Sequence, residues 1–390
     1  MRRLRYPRPV AVAREVETLH GRMADFVAPL REAPGGWALH ELETEQGVRL
    51  LFRRADGAAL NVELEAADPA RPCYATTRRF NVYFALRDHH RRDLDAHERS
   101  LVDHVVAVLR RREQSLPVFG EAPASKRVLV REIEKGHVLF AEDTPRAYYL
   151  NPYVGCVLGC RYCYAIHRAD FSRSLEGAPR AEWGRWVDVK TNAPEVLARE
   201  LGEVEPGTVR MSPIVTDPYQ PIERRYRVTR RCLEVIQPTA FTPVVLSRAS
   251  LVLDDLALLT RCHGAIVGMS VPTDDDRVRA EFEPGTESIE ARVGTLRALR
   301  EAGLTTFAIV QPMLPLDPAR LVDLLAPWAQ AVRIGPLFEK HRIADSFTRL
   351  GREDALDPQW ERDTFEDLRA RFEARGVPVN PTTPPWSSFL

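Results

Sequence analysis

Apolar positions along the chain follow one period in the first third and another afterwards. Val16, Leu19, Met23, Phe26 and Leu30 recur at helical spacing and predict an amphipathic helix over Val12 to Leu30. Period-two alternation follows at Leu50/Phe52, Leu60/Val62/Leu64 and Phe80/Val82/Phe84/Leu86. Turn signals at Gly35-Gly36, Ala55-Asp56-Gly57 and Asp68-Pro69 separate these runs, so they predict strands of a small antiparallel sheet. A second helix is predicted over Asp95 to Arg112, burying Leu101, Val105, Val108 and Leu109 and ending on Arg110-Arg111-Arg112, where the helix dipole favours cations. Residues 1–115 therefore read as an α+β domain. The paired arginines Arg78-Arg79 and Arg91-Arg92 are read as a solvated face rather than phosphate contacts.

Residues 116–147 contain Pro117, Pro123 and Pro145 and read as a connector with one added strand, Val128 to Ile133. From Tyr148 the pattern becomes strand, helix, strand. Short apolar strands are predicted at Tyr148–Tyr153, Thr208–Met211, Pro243–Leu246, Ala265–Met269, Thr305–Val310 and Ala331–Ile334. Helices are predicted between most of them, at Glu195–Leu201, Thr229–Ile236, Asp254–Leu259, Ile289–Ala302 and Ala319–Ala326, with Gly303 as a natural stop. This order implies a parallel sheet, and a continuously apolar run such as Ala265-Ile266-Val267-Gly268-Met269 fits burial on both faces. The expected fold class is α/β: a partial (β/α)6 barrel over 148–345, preceded by the small α+β domain. A tail over 346–390, with a helix Trp360–Arg375 and several prolines, is expected to pack across one end.

Composition narrows the setting. Lys and Arg total 55 and Asp and Glu total 55, so no global field draws the chain to nucleic acid or an anionic lipid surface. No apolar run approaches the ~20 residues of a membrane helix, and the basic start Met1-Arg2-Arg3 lacks the apolar segment of a signal peptide. The expected location is the cytoplasm, where the 6 cysteines are reduced, metal-bound or buried. Cys73, Cys232 and Cys262 are scattered, whereas the other three are concentrated in one short stretch.

That stretch is Asn151-Pro-Tyr-Val-Gly-Cys156-Val-Leu-Gly-Cys160-Arg-Tyr-Cys163-Tyr164. Three soft thiolates so spaced can wrap three corners of a [4Fe–4S] cubane and leave one iron open for a substrate or cofactor. Structural zinc competes for such residues but requires four ligands, and only His167 lies near enough in sequence to be the fourth.

This loop, placed directly after the first strand of a βα series, resembles the radical S-adenosylmethionine (SAM) superfamily. Asn151-Pro-Tyr-x-Gly-Cys, Thr216-Asp217-Pro-Tyr-Gln-Pro221 with Glu223, Thr229-Arg230, Glu283-Pro284 with Arg292, and Gln311-Pro-Met-Leu-Pro315 resemble its spore-photoproduct-lyase-like branch over about Ala147 to Arg342. The resemblance implies an enzyme in which SAM binds the open iron and is reductively cleaved to a 5′-deoxyadenosyl radical. That radical then abstracts hydrogen from an unidentified substrate. The resemblance also implies an external one-electron donor of flavodoxin or ferredoxin type. Cys156, Cys160 and Cys163 are the candidate cluster ligands. By position at predicted strand ends, Ser212, Thr216 and Asp217 are candidates for the methionine amine or a neighbouring site, and Ser247, which follows the third strand, is a further cofactor-binding candidate. Arg248 is a candidate for the methionine carboxylate, Ser270 for the ribose, and Gln311 ends the fifth strand. Tyr164 is expected to wall off solvent or line the site. Glu283 and Arg292 are either part of the site or an ion pair holding their loop.

Two features depart from the branch. Leu158 and Arg248 stand where the family often shows His and Lys, and Arg210-Met-Ser-Pro-Ile-Val-Thr-Asp217 lacks the cysteine hydrogen donor of true photoproduct lyases. Cys232 and Cys262 are read as small buried hydrophobes. Repair of a nucleic-acid lesion is therefore a secondary reading, and a non-catalytic iron–sulfur or zinc interaction protein a third.

Overall fold

The computed structural model describes residues 28–43, 48–66, 73–77, 80–85, 94–112, 128–142, 144–166, 169, 173, 178, 181–212, 215–338, 340–382 and 385–386. The chain divides into two compact units, one of residues 1–126, 135–137 and 165–182, the other of 127–134, 138–164 and 183–390. Most of the helix expected over Val12 to Leu30, the turn at Asp68-Pro69, Leu86, both arginine pairs and His167 lie outside the described residues.

In the first unit, strands β1 (Glu32–Ala33), β2 (Trp37–Glu43), β3 (Val48–Arg54), β4 (Ala59–Ala66), β5 (Ala75–Thr76) and β6 (Phe80–Ala85) form an antiparallel sheet in the order β1-β2-β3-β4-β6-β5. Alternate residues Leu50 and Phe52, Leu60, Val62 and Leu64, and Phe80 and Val82 turn to one face. There they meet Leu101, Val105, Val108 and Leu109 of helix α1 (Ala96–Arg112). The helix starts where Asp95 and Glu98 each accept the other's backbone N–H, at 2.8 and 2.9 Å.

The second unit contains strands β7 (Leu129–Ile133), β8 (Leu139–Ala141), β9 (Ala147–Leu150), β10 (Tyr153–Val154) and β11 (Trp186–Lys190), then helix α2 (Ala193–Leu201) and strand β12 (Thr208–Met211). Next come α3 (Glu223–Tyr226), α4 (Val228–Ile236), β13 (Thr242–Ser247), α5 (Leu256–Leu259), β14 (Ile266–Ser270), α6 (Asp276–Phe282) and α7 (Ile289–Glu301). The series ends with β15 (Thr305–Val310), α8 (Pro318–Leu325), β16 (Val332–Ile334), α9 (Ala344–Leu350) and α10 (Pro358–Ala374). The main sheet runs β16-β15-β14-β13-β12-β9-β8. Its first six members pair in parallel, as the strand–helix alternation predicts, and β8 adds an antiparallel edge.

Three expectations need correction. The connector read over 116–147 carries two strands rather than one, because β8 supplies the sheet edge and β7 pairs with the unanticipated β11. The expected helix Asp254–Leu259 is α-helical only from Leu256, its first turn being a 3-10 segment Ser250–Asp255. Ala28–Leu30, at the end of the first predicted helix, is likewise a 3-10 turn.

Strand alternation divides the barrel's apolar residues between two cores. Val245, Val267, Met269, Ala308, Val310, Val332 and Ile334 pack against α4, α7 and α8. Val244, Leu246, Ile266 and Phe307 face the opposite way, into the bore, and are joined there by Ile309 and by Trp386 from the tail. Among the described residues no helix is long and apolar enough to cross a membrane.

Gly268 packs directly against Phe307, since a Cβ there would lie 2.5 Å from the Phe307 ring. Gly268→Ala should lower stability by about 1–3 kcal/mol, read from the urea midpoint. Adding Phe307→Leu should return part of that loss. A midpoint unchanged by Gly268→Ala would contradict this packing.

Candidate functional site

The cysteine loop leaves β9 at the C-terminal edge of the parallel sheet, the position at which α/β folds gather ligands. Two neighbouring segments hold it. From the loop after β12, the Thr216 hydroxyl and Gln220 Nε2 donate to the Gly155 carbonyl at 2.7 and 3.1 Å, and Gln220 Oε1 accepts from Val157 N–H at 2.9 Å. From the segment after α6, Gly285 N–H donates to the Leu158 carbonyl at 3.0 Å. A side chain at Gly285 would meet that carbonyl at 2.6 Å, so the two backbones can approach this closely only with glycine there. Arg161 N–H also donates to the Phe282 carbonyl, at 2.8 Å.

Cys156 and Cys160 are buried and Cys163 is half-buried, with Leu158, Tyr162 and Trp183 packed around them. Burial, reinforced by the charge of Asp217, pushes the Cys156 thiol up to about 12. Burial and Glu283 raise Cys160 well above the ordinary thiol range, with Arg248 opposing. The charge of Cys163 also raises both thiols, and that of Cys156 raises Cys160 as well. Among the described residues, no three Cys, His, Asp or Glu side chains are grouped so as to hold one metal ion.

Beside the thiols lies a buried ionic network. Glu283 Oε1 accepts from Arg248 Nε at 2.9 Å, and its Oε2 pairs with Arg292 Nη1 at 2.7 Å. The Tyr162 hydroxyl donates to Glu283 and lies 3.3 Å from Arg248 Nη2. Arg292 also donates to the Ser270 carbonyl at 3.0 Å and to the Thr286 hydroxyl. Although burial would raise Glu283, Arg292 and Arg248 together hold its carboxyl below the usual carboxylate range. Burial works against the charge on Arg248, but Tyr162, Cys160, Glu283 and Asp217 prevail and raise it. Glu283 and Arg292 are thus an ion pair, and that pair reaches the cysteine loop through Tyr162.

The structure divides the candidates drawn from the sequence. Asp217 accepts from the Ser247 hydroxyl at 2.7 Å, Tyr219 N–H at 2.9 Å and Arg248 N–H at 2.8 Å, so Asp217 and Ser247 fix the start of the Arg248 segment. Thr216 is occupied with Gly155 and Gln220. Arg248 adjoins Cys160. Ser270 is buried and its hydroxyl has no partner, a polar atom left for a ligand. Ser212 is buried just beyond β12. Gln311 joins Arg333 at 3.0 Å, apart from the thiols' network, and Tyr164 is 49% exposed. Cys232 and Cys262 lie in the helix-side core. Sequence reasoning passed over Tyr162 and Gln220, though both stand inside the quoted motifs. A buried aromatic hydroxyl between two cysteines, and an amide two residues past Pro218, were the available signals.

A parallel partial barrel whose strand ends enclose a three-thiol loop and a buried arginine defines a class of cluster-bearing α/β enzyme. Residues 150–325, a little under half of the chain, match the radical SAM superfamily. It is 31% identical over 168 residues to an uncharacterized protein of Methanocaldococcus jannaschii, covering 43% of this chain and 61% of that one. A radical SAM Nalpha-GlyT isomerase of Pseudomonas phage M6 is 27% identical over 166 residues, or 42% of this chain and 33% of the phage protein. A solved spore photoproduct lyase with bound AdoMet and dinucleoside spore photoproduct aligns at TM-score 0.48 and 17% identity, covering 66% of this chain and 82% of that one. The match to the archaeal relative thus spans less than two thirds of that protein's length.

Replacing Glu283 by Gln leaves two buried guanidiniums facing a neutral amide. Glu283→Gln should cost about 3–5 kcal/mol at pH 7, measured by urea unfolding. Because the folded carboxyl titrates below its unfolded value, its stabilisation is present at neutral pH and lost as pH falls through the folded value. The gap between wild type and variant should therefore narrow in acid. A cost under about 1 kcal/mol at pH 7, or a gap that widens in acid, would contradict the assignment.

Proposed function

We propose that this chain carries a [4Fe–4S] cluster on Cys156, Cys160 and Cys163, binds SAM beside it, and abstracts hydrogen from a substrate held at the barrel mouth. One observation carries the reading: three thiols sit on one short loop that Thr216, Gln220 and Gly285 pin beside the C-terminal ends of parallel strands. The donor set fits such a cluster, because three soft thiols lie on one short loop with Leu158, Tyr162 and Trp183 packed among them. When bound, the cluster supplies the electron that cleaves SAM to methionine and a 5′-deoxyadenosyl radical.

The protein's own groups do the placing. Arg248 spends Nε on Glu283 and Nη2 on Tyr162, which leaves Nη1 for the methionine carboxylate. The unpartnered Ser270 hydroxyl suits a ribose oxygen. Asp217, Ser247 and Thr216 hold the backbone that presents these groups. Leu158, Tyr162 and Trp183 exclude water from the sulfurs. Since burial holds Cys156 and Cys160 in the thiol form, loading displaces their protons and is favoured as pH rises. The reading places the chain in the cytoplasm, with an external one-electron donor of flavodoxin or ferredoxin type. A reducing compartment keeps these thiols available.

Anaerobic reconstitution should load about four irons and four sulfides per chain, the count of one cubane. Dithionite and SAM should then yield 5′-deoxyadenosine slowly without any substrate. Cys156→Ala, Cys160→Ala and Cys163→Ala should each abolish the cluster absorbance and the product. Full iron loading in any of the three variants would overturn the ligand assignment.

A further inference from the structure

On the helix side of the sheet, a cavity of about 520 Å³ opens between α3, α4 and the 3-10 segment Ser250–Asp255. Tyr219 and Leu251 of its lining belong to the helix-side core, so it lies apart from the bore wall of Val244, Leu246, Ile266 and Phe307. Arg224, Arg227 and Arg230 line it at intervals of three residues. Arg230 is already engaged: its Nη1 donates to Asp255 at 2.5 Å and its Nε to Glu234 at 3.1 Å. Asp255 also accepts from the Tyr219 hydroxyl at 2.9 Å. Glu223 is occupied as well, by the Tyr153 hydroxyl and by the N–H groups of Thr229 and Arg230 at 3.1 and 3.0 Å.

Arg224, Arg227 and Asp254 differ from these. All three line the cavity and are exposed, and among the described residues no hydrogen bond or ion pair engages any of their side chains. Arg227 does not sit on a free loop. Its N–H closes α3 on the Glu223 carbonyl at 2.9 Å, and its φ of 50° turns the chain directly into α4. That left-handed conformation is common for Gly and Asn and uncommon for Arg, so a tight turn fixes the direction of a side chain poorly suited to it.

Two guanidiniums without carboxylate partners on one concave wall call for an anion. The guanidinium fork matches the oxygens of a phosphate, and a phosphate dianion answers two unit charges where a carboxylate answers one. The volume falls within the roughly 300–1,000 Å³ of small-molecule sites, far more than a bare phosphate needs, so the ligand has a body. Leu251 and the Tyr219 ring offer that body apolar surface, and the Asp254 carboxylate accepts from a hydroxyl or amine on it.

We propose that this cavity binds a small phosphorylated, hydroxylated metabolite, with Arg224 and Arg227 on the phosphate and Asp254 on the body. The site is separate from the bore, and its occupancy does not require a cluster on the thiols. Tyr219 and Glu223 of the lining bracket Gln220, which holds the Gly155 carbonyl and the Val157 N–H of the cysteine loop. A bound ligand therefore braces the segment on which that loop rests.

The test titrates the full chain calorimetrically with ribose 5-phosphate, inorganic phosphate and ribose, at constant ionic strength set by chloride. Wild type should bind ribose 5-phosphate saturably and more tightly than inorganic phosphate, and ribose not measurably. Arg224→Gln and Arg227→Asn should each weaken ribose 5-phosphate binding about tenfold or more, the loss of one charge-assisted contact. Asn keeps the left-handed backbone at 227, and all substituted side chains are exposed, so the melting midpoints should stay near wild type. Arg225→Gln is the control, because Arg225 lies over the Tyr226 ring and does not line the cavity. Its binding should equal that of wild type. Asp254→Asn should tighten inorganic phosphate by removing a like charge. No saturable binding of either phosphate by wild type, or equal weakening by Arg225→Gln and Arg224→Gln, would overturn the site. Inorganic phosphate binding as tightly as ribose 5-phosphate would overturn the metabolite and leave a site for free phosphate.

Discussion

A single buried carboxylate ties together the loops at the C-terminal ends of the parallel strands. Glu283 takes Arg248 on one oxygen, Arg292 on the other and the Tyr162 hydroxyl as well, in a setting from which water is excluded. An ion pair so deeply buried gives little net stability over an apolar replacement, but each partner becomes costly to remove. The return is positional. Arg292 anchors Glu283 to β14 through the Ser270 carbonyl, Arg248 carries the constraint to the end of β13, and Tyr162 carries it into the cysteine loop. Three separate stretches of chain are thereby fixed against one carboxylate.

The same loop is held from its other side by Thr216 and Gln220, whose side chains occupy the Gly155 carbonyl and the Val157 N–H. Backbone groups that would otherwise need solvent are therefore satisfied within the protein, which lets Cys156 and Cys160 sit buried. Burial disfavours thiolate in the absence of metal, and Arg248 beside Cys160 works in the opposite direction. The bore divides its labour in a similar way. Val244, Leu246, Ile266 and Phe307 line it with apolar surface, while the buried Ser270 hydroxyl is left without a partner.

Much of this was legible in the sequence, because the signals were periodic or local. Six parallel strands follow from continuous apolar runs separated by helical segments, and the strands at Thr208–Met211 and Thr305–Val310 match residue for residue. The three cysteines stood out by spacing alone. What escaped was set by long-range pairing. β8 and β11 are short, and they are strands because β9, β7 and β10 lie beside them rather than because of their own pattern. Ser247 ends β13 and Thr216 and Asp217 follow β12, but their neighbours could not be read from the sequence. Their polar atoms turn to Gly155, to one another and to Arg248.

The central claim is that three thiols leave one iron free to take SAM. Electron–nuclear double resonance on the reduced, reconstituted protein with SAM labelled in its methionine amine and carboxylate tests it most directly. The account predicts hyperfine coupling from both labels to the cluster. A reduced cluster with full iron content and no coupling from either label would contradict it.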